Sequence, residues 1–154
     1  LVDWLIQGGY TDMTVLDLSA QALKYTQARV SEEDKKKISF LVADITKFDP
    51  RGKTYRLWHD RAVFHFLSDP ADRIAYVHNL VRSLSPGGYL LIGTFAIGGV
   101  EQCSGMDIVQ YNLEKMQSEL GPRFSVVEER SEIHITPAGT QQPFWYGLFK
   151  FAEP

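Results

Sequence analysis

Short apolar runs alternate with amphipathic stretches along the whole chain. Leu1, Val2, Leu5 and Ile6 recur at helical spacing and Gly8-Gly9 stops the pattern, so residues 1–7 read as a helix. Residues 13–17 form a β-branched run that reads as a strand. Residues 20–37 read as one helix with Ser19 as its N-cap, followed by a second strand over 38–43. A turn-rich loop over 46–54 carries Asp49-Pro50 and Gly52, and residues 55–60 read as a third strand. Val63-Phe64-His65-Phe66-Leu67 makes an apolar turn after it. Ser68-Asp69-Pro70 opens a helix that runs to about Leu84, and Pro86-Gly87-Gly88 ends it and starts a strand over 89–95. A Gly-rich loop over 96–106 leads to a helix that begins at Asp107 or Asn112 and stops at Gly121-Pro122. Phe124–Ile135 and residues 144–151 read as two long antiparallel strands joined across 136–143.

Strands that alternate with helices imply an α/β fold: a mostly parallel sheet, helices on both faces, and an antiparallel C-terminal strand pair. Two buried strands joined by a crossover helix lie side by side in parallel, with a right-handed crossover in nearly all cases. Asp17 closes the first such strand and Asp44 the second. Both acids therefore belong at the carboxyl edge, where open α/β sheets bind ligands. A carboxylate there is placed to accept both hydroxyls of a ribose. The pattern points to a nucleoside-type cofactor.

Composition narrows the partners. At 154 residues, read as one domain over 1–154, the chain can bury roughly 70% of its unfolded surface. A formal net charge of -3 supplies no basic stripe for nucleic acid. No apolar run approaches the roughly eighteen residues of a membrane span, and no signal-peptide pattern appears, so the cytoplasm is the expected location. Cys103 is the single cysteine, which excludes an intrachain disulfide and a cysteine-based metal site. Its Gly-rich surroundings show no cation to activate a thiol, so it reads as a small packing residue. His59 and His65 have no third ligand and no common face, and no metal is expected. The amphipathic pattern is already under way at Leu1 with no N-cap before it, which reads as a fragment.

With these residues placed, the chain resembles the Rossmann-like class I S-adenosylmethionine-dependent methyltransferases along its whole length. Val15-Leu16-Asp17-Leu18-Ser19 is similar to the second-strand motif whose acid binds the ribose. Val42-Ala43-Asp44-Ile45 is similar to the third-strand motif that brackets the adenine. The segment Leu57-Trp58-His59-Asp60-Arg61-Ala62-Val63-Phe64-His65-Phe66-Leu67 resembles the fourth-strand motif, by the methionyl moiety and the substrate. Leu84-Ser85-Pro86-Gly87-Gly88-Tyr89-Leu90-Leu91-Ile92 resembles the turn entering the fifth strand. In two places the chain departs from the family pattern. Arg56 stands where the family often has Asp, and the family's first strand and Gly-rich loop would lie before Leu1. A chain without that loop is expected to bind the cofactor poorly.

The resemblance implies S-adenosylmethionine as cofactor, bound by Asp17, Leu18, Asp44, Ile45 and His59, and methyl transfer to a small-molecule acceptor. It implies Asp60, Arg61 and His65 as the catalytic group, with Arg61 near the methionyl part and Asp60 or His65 near the nucleophile. An Asp60–Arg61 ion pair that merely anchors the loop is the competing reading, and for Asp44 it is a turn bonding its own backbone. A general base is required only where the acceptor must lose a proton, and Asp60, His59 and His65 all qualify. Two other classes stand beside this one: an NAD-dependent oxidoreductase, which shares the ribose acid, and a nucleotide-binding fragment without turnover.

Overall fold

Two serines set the local architecture of the N-terminal part. In this computed structural model, which describes residues 1–152, helix α1 (Val2–Gln7) leads to strand β1 (Met13–Asp17). Ser19 then caps helix α2 (Ala20–Arg29), its hydroxyl accepting from the Ala22 N–H at 3.2 Å. The continuous helix expected over 20–37 does not form. Val30 is extended and buried, and Ser31 caps a second helix, α3 (Glu32–Lys35), by accepting from the Asp34 N–H at 3.1 Å. Glu32, Glu33 and Asp34 fill the first turn of α3, where negative charge suits the helix dipole. Strand β2 (Ile38–Val42) runs parallel to β1, with Met13 beside Ile38 and Asp17 beside Val42. These strands are less buried than their apolar content suggests: β1 is half-buried throughout, and Val42 is 60% exposed. Among the described residues each pairs only with the other, and a two-stranded ribbon cannot cover both of its faces and edges.

The chain divides into two compact units, Leu1–Phe48 and a second that begins at Asp49. The second unit holds a four-stranded sheet in the order β3-β4-β8-β7. Strand β3 (Tyr55–Arg61) pairs in parallel with β4 (Leu84–Phe95). Strand β8 (Gln141–Phe151) lies antiparallel between β4 and β7 (Phe124–Ile135), so the antiparallel C-terminal pair expected from sequence forms. Helix α4 (Pro70–Ser83) connects β3 to β4, opened by Asp69 accepting from the Ala71 N–H at 2.8 Å and by Pro70 in the first turn. Helix α5 (Leu113–Leu120) is capped by Asn112, which accepts from the Lys115 N–H at 2.9 Å. The Gly-rich loop contains a small hairpin, β5 (Gln102–Cys103) and β6 (Met106–Asp107), turned at Ser104 and Gly105, both with positive φ.

Pro86-Gly87-Gly88 forms a bulge rather than a boundary. Tyr55 pairs with Leu84 and Leu57 with Tyr89, so residues 85–88 loop out opposite Arg56. Beyond the bulge, strand alternation sorts the side chains. Trp58 and Asp60 share the face of Leu90 and Ile92, which are fully buried, and Tyr76 of α4 packs against that face. His59 and Arg61 share the opposite face with Leu91, Tyr146, Phe95 and Phe144.

Candidate functional site

In the first unit, β1 delivers Asp17 to the carboxyl edge. One carboxylate oxygen, Oδ1, accepts from the Ser19 N–H at 2.7 Å, tightening the turn into α2. Among the described residues no bond engages the other oxygen, Oδ2, and Leu18 beside it is 74% exposed. The Ala43 N–H donates to the Asp17 carbonyl at 3.1 Å, so the turn after β2 is fastened to the end of β1. Asp44 spends its carboxylate locally. Its Oδ1 accepts from the Thr46 N–H at 2.9 Å and the Thr46 hydroxyl at 2.7 Å, and its Oδ2 lies 3.2 Å from Lys47 Nζ. The Thr46 hydroxyl bond, followed by the backbone bond, lowers the Asp44 pKa. The turn-forming reading of Asp44 therefore describes its side chain, and Ile45 begins a short 3-10 turn, Ile45–Lys47.

In the second unit, Asp60 and Arg61 part company. Asp60 is 5% exposed and accepts from the Tyr76 hydroxyl at 2.7 Å and the Val63 N–H at 3.0 Å. The Tyr76 hydroxyl in turn accepts from Trp58 Nε1 at 3.0 Å. Burial raises the Asp60 pKa, opposed by the Tyr76 and backbone hydrogen bonds, and burial raises the Tyr76 pKa further. This chain of bonds fixes a strained turn. Ala62 sits at φ 66°, a left-handed conformation that costs a side-chain-bearing residue about 1–2 kcal/mol. It is held by its N–H donating to the Gly93 carbonyl at 3.0 Å and by Asp60 gripping Val63. The loop-anchoring ion pair between Asp60 and Arg61 does not occur, because successive strand residues point to opposite faces. Asp60 anchors the loop through Tyr76 instead.

Arg61 is exposed, and its guanidinium lies 5.7 Å over the Phe144 ring. Loss of water around the ring, then the charge of Arg61, lowers the pKa of His59 on the same face. His65 lies in a 3-10 turn, Phe64–Phe66, and is fully buried. Its ring centroid is 4.4 Å from that of Phe66, 4.7 Å from Phe95 and 6.4 Å from Phe144. Neither ring nitrogen has a hydrogen-bond partner. Burial pushes its pKa down to about 4, so the imidazole is neutral at pH 7. Sequence reading missed Tyr76, Phe95, Phe144 and Tyr146 as neighbours of this group. The alternation of β3 carried part of the signal, since Trp58 and Asp60 must face away from His59 and Arg61. The cross-strand neighbours required the register of β8. Of the remaining histidines, His78 is exposed on α4, and His134 lies on β7 with its ring 6.1 Å from Phe144.

A family model described as a methyltransferase domain matches residues 1–88, more than half of the chain. The chain belongs to the methyltransferase domain family. Three of the four sequence segments that suggested this lie wholly within the matched stretch, and the fourth begins there. Among curated relatives, nodulation protein S of Rhizobium fredii is 32% identical over 82 residues, covering 53% of this chain and 45% of that protein. Nodulation protein S of Rhizobium tropici is 32% identical over 82 residues, 33% of its length. The match thus spans less than half the length of either relative. The methyltransferase fold is shared with N-methyltransferase NodS from Bradyrhizobium japonicum WM9, at a TM-score of 0.69 and 21% identity, over 91% of this chain and 73% of that one. It is also shared with a S-adenosylmethionine-dependent methyltransferase from Mesorhizobium loti, at a TM-score of 0.72 and 16% identity, over 96% of this chain and 84% of that one. NodS has also been crystallised with S-adenosyl-L-homocysteine.

Proposed function

We propose that this protein transfers a methyl group from S-adenosylmethionine to a small-molecule acceptor. The observation that carries the reading is Asp17: a strand-end carboxylate with Oδ2 uncommitted, beside exposed Leu18, in a methyltransferase domain. These residues fit a nucleoside. Asp17 would accept the ribose hydroxyls, and Leu18 and Ile45 would offer apolar surface to the adenine. Asp44, bonded to Thr46, would hold the turn that presents Ile45. When bound, the cofactor supplies the methyl group and its own sulfur leaving group.

In the second unit, the group at the end of β3 would serve the acceptor. Among the candidate bases His59, Asp60 and His65, exposed His59 would take a proton from an acceptor that must lose one, whereas His65, enclosed by Phe66, Phe95 and Phe144, would belong to the apolar packing beside it. Asp60 acts at one remove, keeping the turn after Arg61 in its strained shape. The proposed setting is the cytoplasm, without a membrane or nucleic-acid partner. Among the described residues no helix is long and apolar enough to cross a membrane, and the net charge of -3 supplies no basic stripe.

The test is thermal unfolding, with S-adenosylhomocysteine and, separately, with NAD, of the protein carrying the family's first strand and Gly-rich loop ahead of Leu1. Ligand that binds only the folded state raises the melting temperature. A rise with S-adenosylhomocysteine and none with NAD is expected. The reverse would hand the fold to dinucleotide chemistry, and no response to either would leave a domain without cofactor function.

A further inference from the structure

Strand β7 runs for 12 residues, about twice the usual strand length, at one edge of the four-stranded sheet. All but Phe124 and His134 are exposed, and the strand contains neither Pro nor Gly. Among the described residues only β8 pairs with it, so its other side presents a free row of N–H and C=O groups. Edges of this kind pair readily with another strand, and proteins commonly keep them short, bent or interrupted. Here the ladder with β8 shifts once, between Val126 and Glu128, and from Glu128 to Ile135 the register is unbroken. Glu128, Arg130, Glu132 and His134 alternate along that run and share the face of Leu148, Tyr146 and Phe144. Arg130 Nε donates to Glu128 at 2.6 Å, which leaves the other guanidinium N–H groups available, and no partner holds Glu132 among the described residues.

Charge decides what this edge fits. Two copies of the strand can pair antiparallel about a twofold axis centred on one residue, which then faces itself. With the axis at Ser131, Arg130 of each copy lies opposite Glu132 of the other, and Glu128 lies opposite His134. Symmetry makes each of these pairs twice. With the axis one residue earlier, Arg130 opposes Arg130 and Glu128 opposes Glu132; one residue later, Glu132 opposes Glu132. Opposite charges directly across an antiparallel pair stabilise it and like charges destabilise it, which selects the register centred on Ser131. We propose that β7 is a dimerisation edge, pairing with β7 of a second copy about Ser131 and joining two four-stranded sheets into one. The proposal is independent of the methyl-transfer reading.

The experiment is sedimentation equilibrium, over a range of concentrations, of the protein carrying the family's first strand and Gly-rich loop ahead of Leu1. Wild type should form a dimer. Arg130→Glu alone sets a carboxylate against Glu132, and Glu132→Arg alone sets a guanidinium against Arg130. Each should weaken the dimer at least tenfold, since like charges then face each other twice. Both substitutions in one chain recreate the opposite pair and should restore the dimer. Mixing the two single variants should do the same, because each is complementary to the other and not to itself. These side chains are exposed, so every variant should keep the wild-type melting temperature. A wild type that stays monomeric at every concentration would overturn the proposal and leave the edge to a different partner. So would a dimer unmoved by the single substitutions. Single variants that weaken the dimer with no rescue in the double variant or the mixture would overturn the pairing about Ser131.

Discussion

His65 shows how burial alone decides a residue's chemistry. A histidine in water titrates near 6.5, whereas this one, enclosed by Phe66, Phe95 and Phe144, titrates at about 4. Between those values the unfolded chain binds a proton that the folded chain refuses. The His65 contribution to stability is therefore complete above pH 6.5 and is lost as pH falls towards 4, a loss of up to about 3 kcal/mol. Asp60 acts with the opposite sign: its raised pKa favours the folded state on the acid side, and that contribution fades as pH climbs above 3.8. Replacing His65 by Phe separates the two. The variant should lose most of the decline in melting temperature between pH 6.5 and 4, and an unchanged decline would show that His65 is not the group responsible. Tyr76→Phe tests the anchoring network. It removes the hydroxyl that satisfies both Asp60 and Trp58 Nε1, and should cost about 1–3 kcal/mol in denaturant unfolding. A cost near zero would mean that Asp60 holds its turn without help from α4.

Between elements, the joints carry the information that the periodicity lacks. Residues 20–37 read as one helix, yet the chain breaks at Val30 because Ser31 offers a second cap with acids behind it. That cap was legible as Ser-Glu-Glu-Asp, but it is the same composition that a solvated helix face displays. Pro86-Gly87-Gly88 was legible as a stop, and the structure makes it a bulge in β4. Gly88 is the residue that requires it. A Cβ there would lie 2.8 Å from the Ser85 carbonyl oxygen and 3.1 Å from that of Arg56, both backbone atoms with nowhere to go. Gly88→Ala should therefore destabilise by about 1–3 kcal/mol, the usual range for overpacking, read as a lower denaturant midpoint. A neutral substitution would mean that β3 and β4 can slip to make room. The long strand Phe124–Ile135 was recovered to the residue, since its turn signals at Gly121-Pro122 and 136–143 bracket one uninterrupted run.

At the level of the whole molecule, the two units differ in how much they bury. In Leu1–Phe48 the buried hydrophobic residues are Leu23, Val30, Ile38 and Phe48, whereas the second unit buries Phe64, Tyr76, Leu80, Leu90, Ile92, Phe149 and others completely. Local opening follows buried contact, so amides of β4 and β8 should exchange with deuterium far more slowly than those of β1 and β2. Equal protection would show that the chain opens as one cooperative body. Sequence motifs found the strand-end acids of both units, because strand termini and turn residues are encoded locally. They could not name the cross-strand neighbours of Asp60 and Arg61 without the register, nor show which groups Asp44 bonds. Asp17 is proposed as the ribose acid from its place at the end of β1, with Oδ2 unbonded among the described residues. Calorimetric titration of S-adenosylhomocysteine into the protein carrying the family's first strand and Gly-rich loop ahead of Leu1, and into its Asp17→Ala variant, tests that proposal most directly. Wild type should bind saturably, and the variant should bind about 1.5–3 kcal/mol more weakly, roughly ten- to a hundredfold, as befits hydrogen bonds to a charged group. Equal affinity in the two proteins, or none in the wild type, would contradict the assignment of Asp17 to the ribose.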